Sequence, residues 1–531
     1  MKKSKKVKKI IRKILRILNS IVLPIFFSCL GIIIFITSYY VLTYINCSSV
    51  DQMIYTMTTV EGVSMQPLVE GITYVLLRLF LIVFVIVFLI LLYKLFISKK
   101  ITISINKLYL KINNKTIKIF PFHNLILSLI LLFSSLFYAF YKFDVDEYLD
   151  ANFNKGEIFE DEYVDPRGVK LTFPDKKRNL IYIYVESLET SALSKEHGGI
   201  EKESYIPKLE KLALENLNFS SNDTVGGGYA SYGGTWTIAG MISQSAGLPL
   251  KVKSGMQNEY KSENFLSGAY SLGDVLHNNG YKNYFILGED STFAGANLYY
   301  KKHGNYEIHD YAWAKKEKLI PEDYYEMWGF EDKKLFEYSK KKLLEISKND
   351  EPFNFVMETM DTHFPDGYVD KSCSNKFEAK YANAYYCSDS MLYEFVKWVQ
   401  KQDFYDNTTI IISGDHLTMK NGFFITTDKD YQRSVYNVII NSAIDTKYDK
   451  NRQFTTLDMY PTTLASLGVK IQGEKLGLGT NLYSGNLTLT EKYGFEKLNE
   501  ELKKYSDYYN NEILKSDKLT MAEEKKEDES E

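Results

Sequence analysis

Proline is scarce in this chain of 531 residues, 11 in all, and glycine stands at 31, which excludes collagen-like and low-complexity architectures. No period of twenty to fifty residues marks a solenoid. Only four cysteines occur and no two form a CxxC, so a cysteine-based zinc site finds no support. Lys and Arg are missing altogether from residues 46–71. Disorder as the main state is excluded by a hydrophobic content of 45% with 25% charged residues. The formal net charge of −3 hides a split, because residues 1–150 carry 18 Lys and Arg against 7 Asp and Glu, leaving the rest acidic. An acidic portion of that kind makes no sequence-wide electrostatic claim on nucleic acid.

Three apolar runs, about Ile21 to Ile45, Thr73 to Ile97 and Asn124 to Phe143, are each long enough for a hydrocarbon core of about 30 Å. Lys-rich segments precede the first and separate the second from the third, whereas the Lys-free stretch separates the first from the second. The positive-inside rule then predicts three crossings, an uncleaved anchor over residues 1–147, and everything beyond on the extracytoplasmic side of the cell or inner membrane. Arg78, near the start of the second run, reads as a snorkelling side chain. Residues 148–177 are polar and turn-rich and read as a linker, 178–512 as a catalytic domain, and 513–531 as a charged disordered tail.

Within 178–512 short apolar runs alternate with amphipathic ones. NLIYIYVE, YKNYFIL, FNFVMETM, NTTIIISGD and SVYNVIINS read as strands; IPKLEKLALENL, GDVLHNNGY, DKKLFEYSKKKLLEIS and ANAYYCSDSMLYEFVKWVQK read as helices. The alternation predicts an α/β fold with a doubly wound sheet. Chemistry in such sheets sits at the carboxyl ends of the strands. Glu186 ends one run, Asp415 and His416 end another, and the glycine-rich VGGGYASYGGTWTIAGM leads into a helix with Thr235 at its start. Two carboxylates, an imidazole and a hydroxyl can hold one divalent cation. A threonine hydroxyl is too weak an acid to attack a phosphate or sulfate unaided; a metal and a helix N-terminus both lower that barrier. Thr before a helix is also an ordinary N-cap.

NLIYIYVESLE, GGTWTIAGMISQSAGLPL, DTHFP, IIISGDH and FTTLDMYPTTLASLGVKIQGEKLGLGTNL, in this order over about Arg178 to Ser484, resemble the sulfatase-type phosphoglycerol transferases. That family includes lipoteichoic acid synthases and enzymes that modify periplasmic glucans, and TWTIAGM with KLGLGTNL looks closer to the glucan branch. The resemblance implies an alkaline-phosphatase/sulfatase-like fold in which Glu186, Thr235, Asp415 and His416 bind Mn²⁺ or Mg²⁺. It implies that Thr235 takes glycerol phosphate from phosphatidylglycerol, releases diacylglycerol, and passes the group to an envelope glycan or polymer acceptor. Thr237 competes as nucleophile, and the GGT spacing favours Thr235. His363 corresponds to a pocket histidine, and His303 lies near a stretch that resembles the glucan branch. Leu287, Ala294 and Ala296 depart from the teichoic-acid pattern, against polymerisation. A phosphoethanolamine transferase or a sulfatase-like hydrolase of the same fold remains the alternative. Cys373 and Cys387 enclose thirteen residues and are expected to be bridged in an oxidising compartment, whereas Cys47 has no evident partner.

Overall fold

A computed structural model describes residues 18–45, 66–97, 101–104, 109–112, 115–118, 123–251, 265–420 and 422–514, together with 6–7, 10–11, 14–15, 50 and 53–54. The chain divides into two compact units, one of Met1–Val50 with Ser64–Tyr148, the other of Asp51–Val63 with Leu149–Glu531.

The first unit is built on the helices Leu23–Tyr40, Gln66–Ile97 and His123–Lys142. Gly31 lets the first and third approach closely, since a Cβ there would lie 3.0 Å from the Leu132 backbone. Large apolar side chains such as Phe133 and Phe137 stay exposed on the outside, the reverse of a water-soluble helix pair. Leu23–Thr43 and Asn124–Lys142 are long and apolar enough to cross a membrane. The middle run falls in Gln66–Ile97, where the apolar described stretch, Gly71–Val85, is shorter. The expected three crossings are therefore not met among the described residues, where two helices qualify. Cys47 lies outside the described residues.

The second unit is organised by a seven-stranded sheet: β1 (Asn179–Val185), β2 (Gly227–Gly228), β3 (Lys282–Leu287), β4 (Glu307–His309), β5 (Phe353–Thr359), β6 (Thr408–Gly414) and β7 (Val435–Ile440). The order is β2-β7-β6-β1-β5-β3-β4. The five strands from β6 to β4 run parallel, while β7 and β2 are antiparallel additions at one edge. Helices α1 (Pro207–Glu215), α2 (Thr237–Ala246), α3 (Leu272–Asn278), α4 (Asp332–Ile346), α5 (Lys380–Val399) and α6 (Met459–Ser466) supply the layers.

Strand alternation divides the core into two. Leu180, Tyr182 and Tyr184 of β1 pack with Ile238, Met241 and Ile242 of α2 and Leu464 of α6. Ile181, Ile183 and Val185 pack on the opposite face with Leu209 and Leu212 of α1, Leu335 of α4 and Phe395 of α5. Both faces being covered, β1 reads as a continuous apolar run, and each large side chain fully buried contributes roughly 1.5–3 kcal/mol of transfer free energy.

The stretch 148–177 is not a free linker. Phe159 is buried, Leu171–Thr172 pairs with Lys470–Ile471, and buried Glu162 accepts from Lys475 at 3.2 Å and Tyr493 at 2.7 Å and pairs with Lys492. Its acidic composition conceals these few anchoring groups. At the other end Ile513 and Leu514 are buried, so the expected tail does not begin at 513, and 515–531 lie outside the described residues.

Cys373 and Cys387 form a disulfide with Cα atoms 5.5 Å apart, tying the segment after His363 to α5. Cys387→Ser is expected to lower unfolding stability by about 3 kcal/mol, the loop-closure value for this length, as read from denaturant melts. No loss in the melt, or two free thiols in non-reducing peptide maps of the native protein, contradicts the bridge.

Candidate active site

Three strand ends and one helix end converge. Glu186 follows β1 and is fully buried, as are Asp415 and His416, which follow β6. Ser187 adopts a left-handed backbone, φ 56°, and its N–H donates to Asp415 Oδ1 at 2.7 Å. A left-handed serine is uncommon, and here it makes the turn that brings two strand ends onto one carboxylate. The His416 N–H donates to the same Oδ1 at 2.7 Å, and Thr362 Oγ1 donates to the Glu186 carbonyl at 2.5 Å.

Helix α2 enters this corner N-terminus first. Its N-cap, Trp236, provides no side-chain cap, so the first N–H groups face the corner without a local acceptor from that side chain. Gly240 permits the approach: a Cβ there would stand 2.1 Å from the Asp415 carbonyl oxygen. One helical turn on, Gln244 accepts from Tyr182 Oη at 2.8 Å and donates to the Gly414 carbonyl at 2.8 Å. Positions 237, 240 and 244 share one helical face, so this docking turns Thr237 toward the carboxylates. Thr237 Oγ1 donates to Glu186 Oε2 at 3.3 Å and lies 3.4 Å from His416 Nε2.

That geometry corrects the preference for Thr235. Thr235 lies on the preceding loop with its side chain exposed, two residues before the helix begins. Adjacency to two glycines favours Thr235 in the sequence, but the helix phase, legible as Thr-x-x-Gly-x-x-x-Gln, points to Thr237.

Ligand atoms of Glu186, Asp415 and His416 all lie within 4.8 Å of one another. Asp415 Oδ2 is buried without a hydrogen-bond partner, 3.3 Å from His416 Nε2. His416 Nδ1–H donates to the Leu417 carbonyl at 2.7 Å, which leaves the Nε2 lone pair directed into the cluster. An orphaned carboxylate oxygen beside an imidazole lone pair is the donor set a divalent cation satisfies. In its electrostatics, burial pulls the His416 imidazole down, but Asp415 and Glu186 more than offset it and hold it above its ordinary value. Burial and then Glu186 push the Asp415 carboxyl up.

His363 stands on the loop after β5. Its Nδ1–H donates to the Phe364 carbonyl at 2.7 Å, and its ring packs edge-on against Trp328 with centroids 4.9 Å apart. Burial lowers its imidazole below the usual value, opposed by the Glu186 charge. His303 is placed elsewhere in the fold. It is buried with Nδ1 3.2 Å from Asp274 and Nε2 2.8 Å from the Phe265 carbonyl, both nitrogens engaged in holding α3 to the loop before it, so the expected pocket role is corrected to a packing one.

Sequence reasoning also missed Glu289 and Glu358. Both are buried, and both carboxyls are raised by burial first and then by neighbouring carboxylates, Glu289 to about 8. Another buried group, Glu189, receives a two-pronged ion pair from Arg433 and an N–H from Thr418 at 2.9 Å, which fixes the segment following His416.

The strand-end cluster is a donor set that could hold a cation at the carboxyl edge of a mixed α/β sheet, and comparison identifies the family. The profile described as Sulfatase matches residues 178–469, and the chain belongs to that family. Among curated relatives, Phosphoglycerol transferase I of Escherichia coli (strain 55989 / EAEC) is 31% identical over 328 residues, 59% of this chain and 40% of its own. The same figures hold for the protein of that name from Shigella boydii serotype 18. The chain thus spans about two-fifths of the length of the curated relatives it matches. Among solved structures, the lipoteichoic acid synthase LtaP from Listeria monocytogenes is similar over 60% of this chain and 79% of its own, at 18% identity and a TM-score of 0.45.

Proposed function

We propose that this protein is a membrane-anchored, metal-dependent transferase that moves glycerol phosphate from phosphatidylglycerol to a hydroxyl of an envelope glycan or polymer, with Thr237 as nucleophile. The observation that carries this reading is the Thr237 hydroxyl at the N-terminus of α2, set against Glu186 and His416. The 31% identity to phosphoglycerol transferases supports the choice of group transferred.

Glu186, Asp415 and His416, with the Thr237 hydroxyl, would hold Mn²⁺ or Mg²⁺. Bound there, the ion supplies Lewis-acid lowering of a hydroxyl pKa and charge stabilisation on a phosphoryl oxygen. In the first half-reaction Thr237 Oγ1 bonds to phosphorus and the bond from phosphorus to the diacylglycerol oxygen breaks. The threonine proton passes to the departing oxygen, a transfer assigned to His363, whose Nδ1–H is engaged by the Phe364 carbonyl, leaving Nε2 to accept. The α2 N-terminus stabilises the negative charge that builds on the phosphoryl oxygens. In the second half the acceptor hydroxyl displaces Thr237 from phosphorus and its proton returns by the same route.

Purified protein with Mn²⁺ and labelled phosphatidylglycerol is expected to release diacylglycerol, and chelation is expected to stop the release. Consumption of phosphatidylethanolamine with phosphatidylglycerol untouched assigns the other headgroup to the same site. No lipid turnover with either overturns the reading.

An extracytoplasmic placement of the catalytic unit is supported by the Lys distribution and by the disulfide. It requires Gln66–Ile97, whose 32 residues span about 48 Å as a helix, to cross as well. A reporter fused after Tyr148 is expected to be active only outside the cytoplasm; cytoplasmic activity reverses the placement.

A further inference from the structure

One aromatic side chain beside the cluster takes no part in the transfer chemistry. Trp328 is the second of two residues in a tight turn, closed by the Glu326 N–H donating to the Gly329 carbonyl at 3.0 Å and the Gly329 N–H donating to the Glu326 carbonyl at 2.9 Å. The first turn residue, Met327, is left-handed, φ 53°, a conformation uncommon outside glycine. The turn is clamped to the end of β3: the Phe330 N–H donates to the Gly288 carbonyl at 3.0 Å, and Gly329 bridges to Glu289. Neither glycine can be enlarged there, since a Cβ on Gly329 would lie 2.2 Å from the Gly288 carbonyl oxygen and one on Gly288 would lie 2.2 Å from that of Phe330. Turn and clamp together hold a large ring at a strand end, the edge of the sheet where chemistry sits.

The ring is not packed away. Phe293, Trp328, His363 and Phe364 are all half-buried and touch in series. Phe293 lies nearly parallel to Trp328, with 13° between the planes and centroids 6.2 Å apart, a spacing at which parallel rings overlap only at their margins. At the other end Thr362, the residue before His363, is bonded to the Glu186 carbonyl, so the series ends at the active-site corner. Among the described residues no acceptor takes the Trp328 indole N–H. The surrounding charge is of one sign: residues 289–296, 324–329 and 361–368 contain Glu289, Asp290, Glu326, Asp361 and Asp366 and neither Lys nor Arg. Glu326 and Asp366 are exposed. Lys420 and Lys334, which approach from other segments, are committed to Asp366 at 2.8 Å and Glu331 at 2.7 Å.

A flat aromatic face, an N–H without an acceptor and a carboxylate rim match a neutral sugar ring. A pyranose with equatorial substituents shows a flat face of C–H groups to an aromatic ring, while the hydroxyls at its edge donate to carboxylates and accept from N–H groups. A polyanionic acceptor chain would meet like charge here, and an acyl chain would leave the N–H and the carboxylates unmatched. We propose that Trp328, widened by Phe293, is the platform on which a neutral pyranose of the acceptor lies while one of its hydroxyls takes the phosphoryl group. The inference rests on the transferase reading and narrows its acceptor to a neutral glycan. The sugar hydroxyl oxygen bonds to phosphorus, the bond from phosphorus to Thr237 Oγ1 breaks, and the sugar proton passes to Thr237 Oγ1.

The test uses full-length protein in detergent with Mn²⁺, phosphatidylglycerol labelled in its headgroup glycerol, and cellopentaose, a neutral oligomer of β-linked glucose whose ring substituents are equatorial. Label on the sugar is measured per diacylglycerol released, so that transfer and hydrolysis by water are counted apart. In Trp328→Leu, which fills the space beside His363 without a flat face, that ratio is expected to fall at least about tenfold, whereas Trp328→Phe is expected to stay within about threefold of the parent. Saturation-transfer NMR without lipid is expected to show sugar C–H protons receiving magnetisation from the parent and not from Trp328→Leu. An unchanged ratio in Trp328→Leu, or diacylglycerol release with no label on the sugar, overturns the platform and leaves the transferase reading standing. Slower release in Trp328→Leu with the ratio kept and the KM for phosphatidylglycerol raised assigns the rings to the lipid and overturns the platform as well. No release from the parent overturns the transferase reading, and the sugar NMR signal then decides the platform alone. Should Trp328→Leu fail to fold by circular dichroism, Phe293→Ala, expected to lower the same ratio, takes its place.

Discussion

Thr237→Ala is expected to lower turnover of the lipid donor about 10³-fold or more, because it removes the hydroxyl proposed to form the covalent intermediate. The fold should survive, since the Thr237 methyl is a minor part of the packing of α2, whose apolar residues Ile238, Met241 and Ile242 carry the contact with the core. Thr235→Ala is expected to stay within about twofold of the unaltered enzyme, as surface substitutions usually do. Rates of diacylglycerol release and peptide mass spectrometry of the trapped phosphorylated species together decide the matter. A phosphate mapped to Thr235 would show that the loop rearranges before reaction and that the hydroxyl near Glu186 is a bystander.

Asp415→Asn should be nearly as damaging to activity and should do the opposite to the metal-free protein. The asparagine can keep Oδ1 toward the N–H groups of Ser187 and His416, both at 2.7 Å in the unaltered chain, while its amide nitrogen replaces Oδ2. That nitrogen carries hydrogens where a ligand needs a lone pair. Loss of manganese affinity of at least about 100-fold is expected, beyond the range seen when mere supporting partners of metal ligands are changed. Without metal, the variant is expected to melt at or above the temperature of the parent, because a buried carboxylate repelled by Glu186 has gone. Thermal melts with and without Mn²⁺ check both halves. A variant that binds metal normally removes Asp415 from the ligand set.

Much of this arrangement is legible in the residues alone, for identifiable reasons. NLIYIYVE and NTTIIISGD announce buried parallel strands because both faces of β1 and β6 are covered, and the strand-end rule then singles out Glu186, Asp415 and His416. Thr237 is less legible, because a glycine pair marks a loop while the direction of a side chain depends on how the following helix docks. Neither β2, two glycines long, nor β4, three residues, carries enough pattern to be seen; each exists because a neighbouring strand offers an edge. His303 illustrates another limit. Its partners, Asp274 and the Phe265 carbonyl, lie 29 and 38 residues away, and no local spacing reveals that both ring nitrogens are engaged. The polar stretch after Tyr148 misled for the same reason, since Glu162 meets Lys475 and Lys492 only through the fold.

Gly240 has no functional group, yet it sets a spacing on which every polar group at the site depends. With the Asp415 carbonyl 2.1 Å from where its Cβ would be, any side chain there must push the helix off the strand end or displace the strand. Either movement separates the Thr237 hydroxyl from Glu186 without altering a single ligand. The tolerance of this chain to substitution is therefore narrow at a position that an inventory of acids, histidines and hydroxyls would pass over, and a relative with all of those residues but a bulkier one at 240 would carry the parts of the site without their alignment.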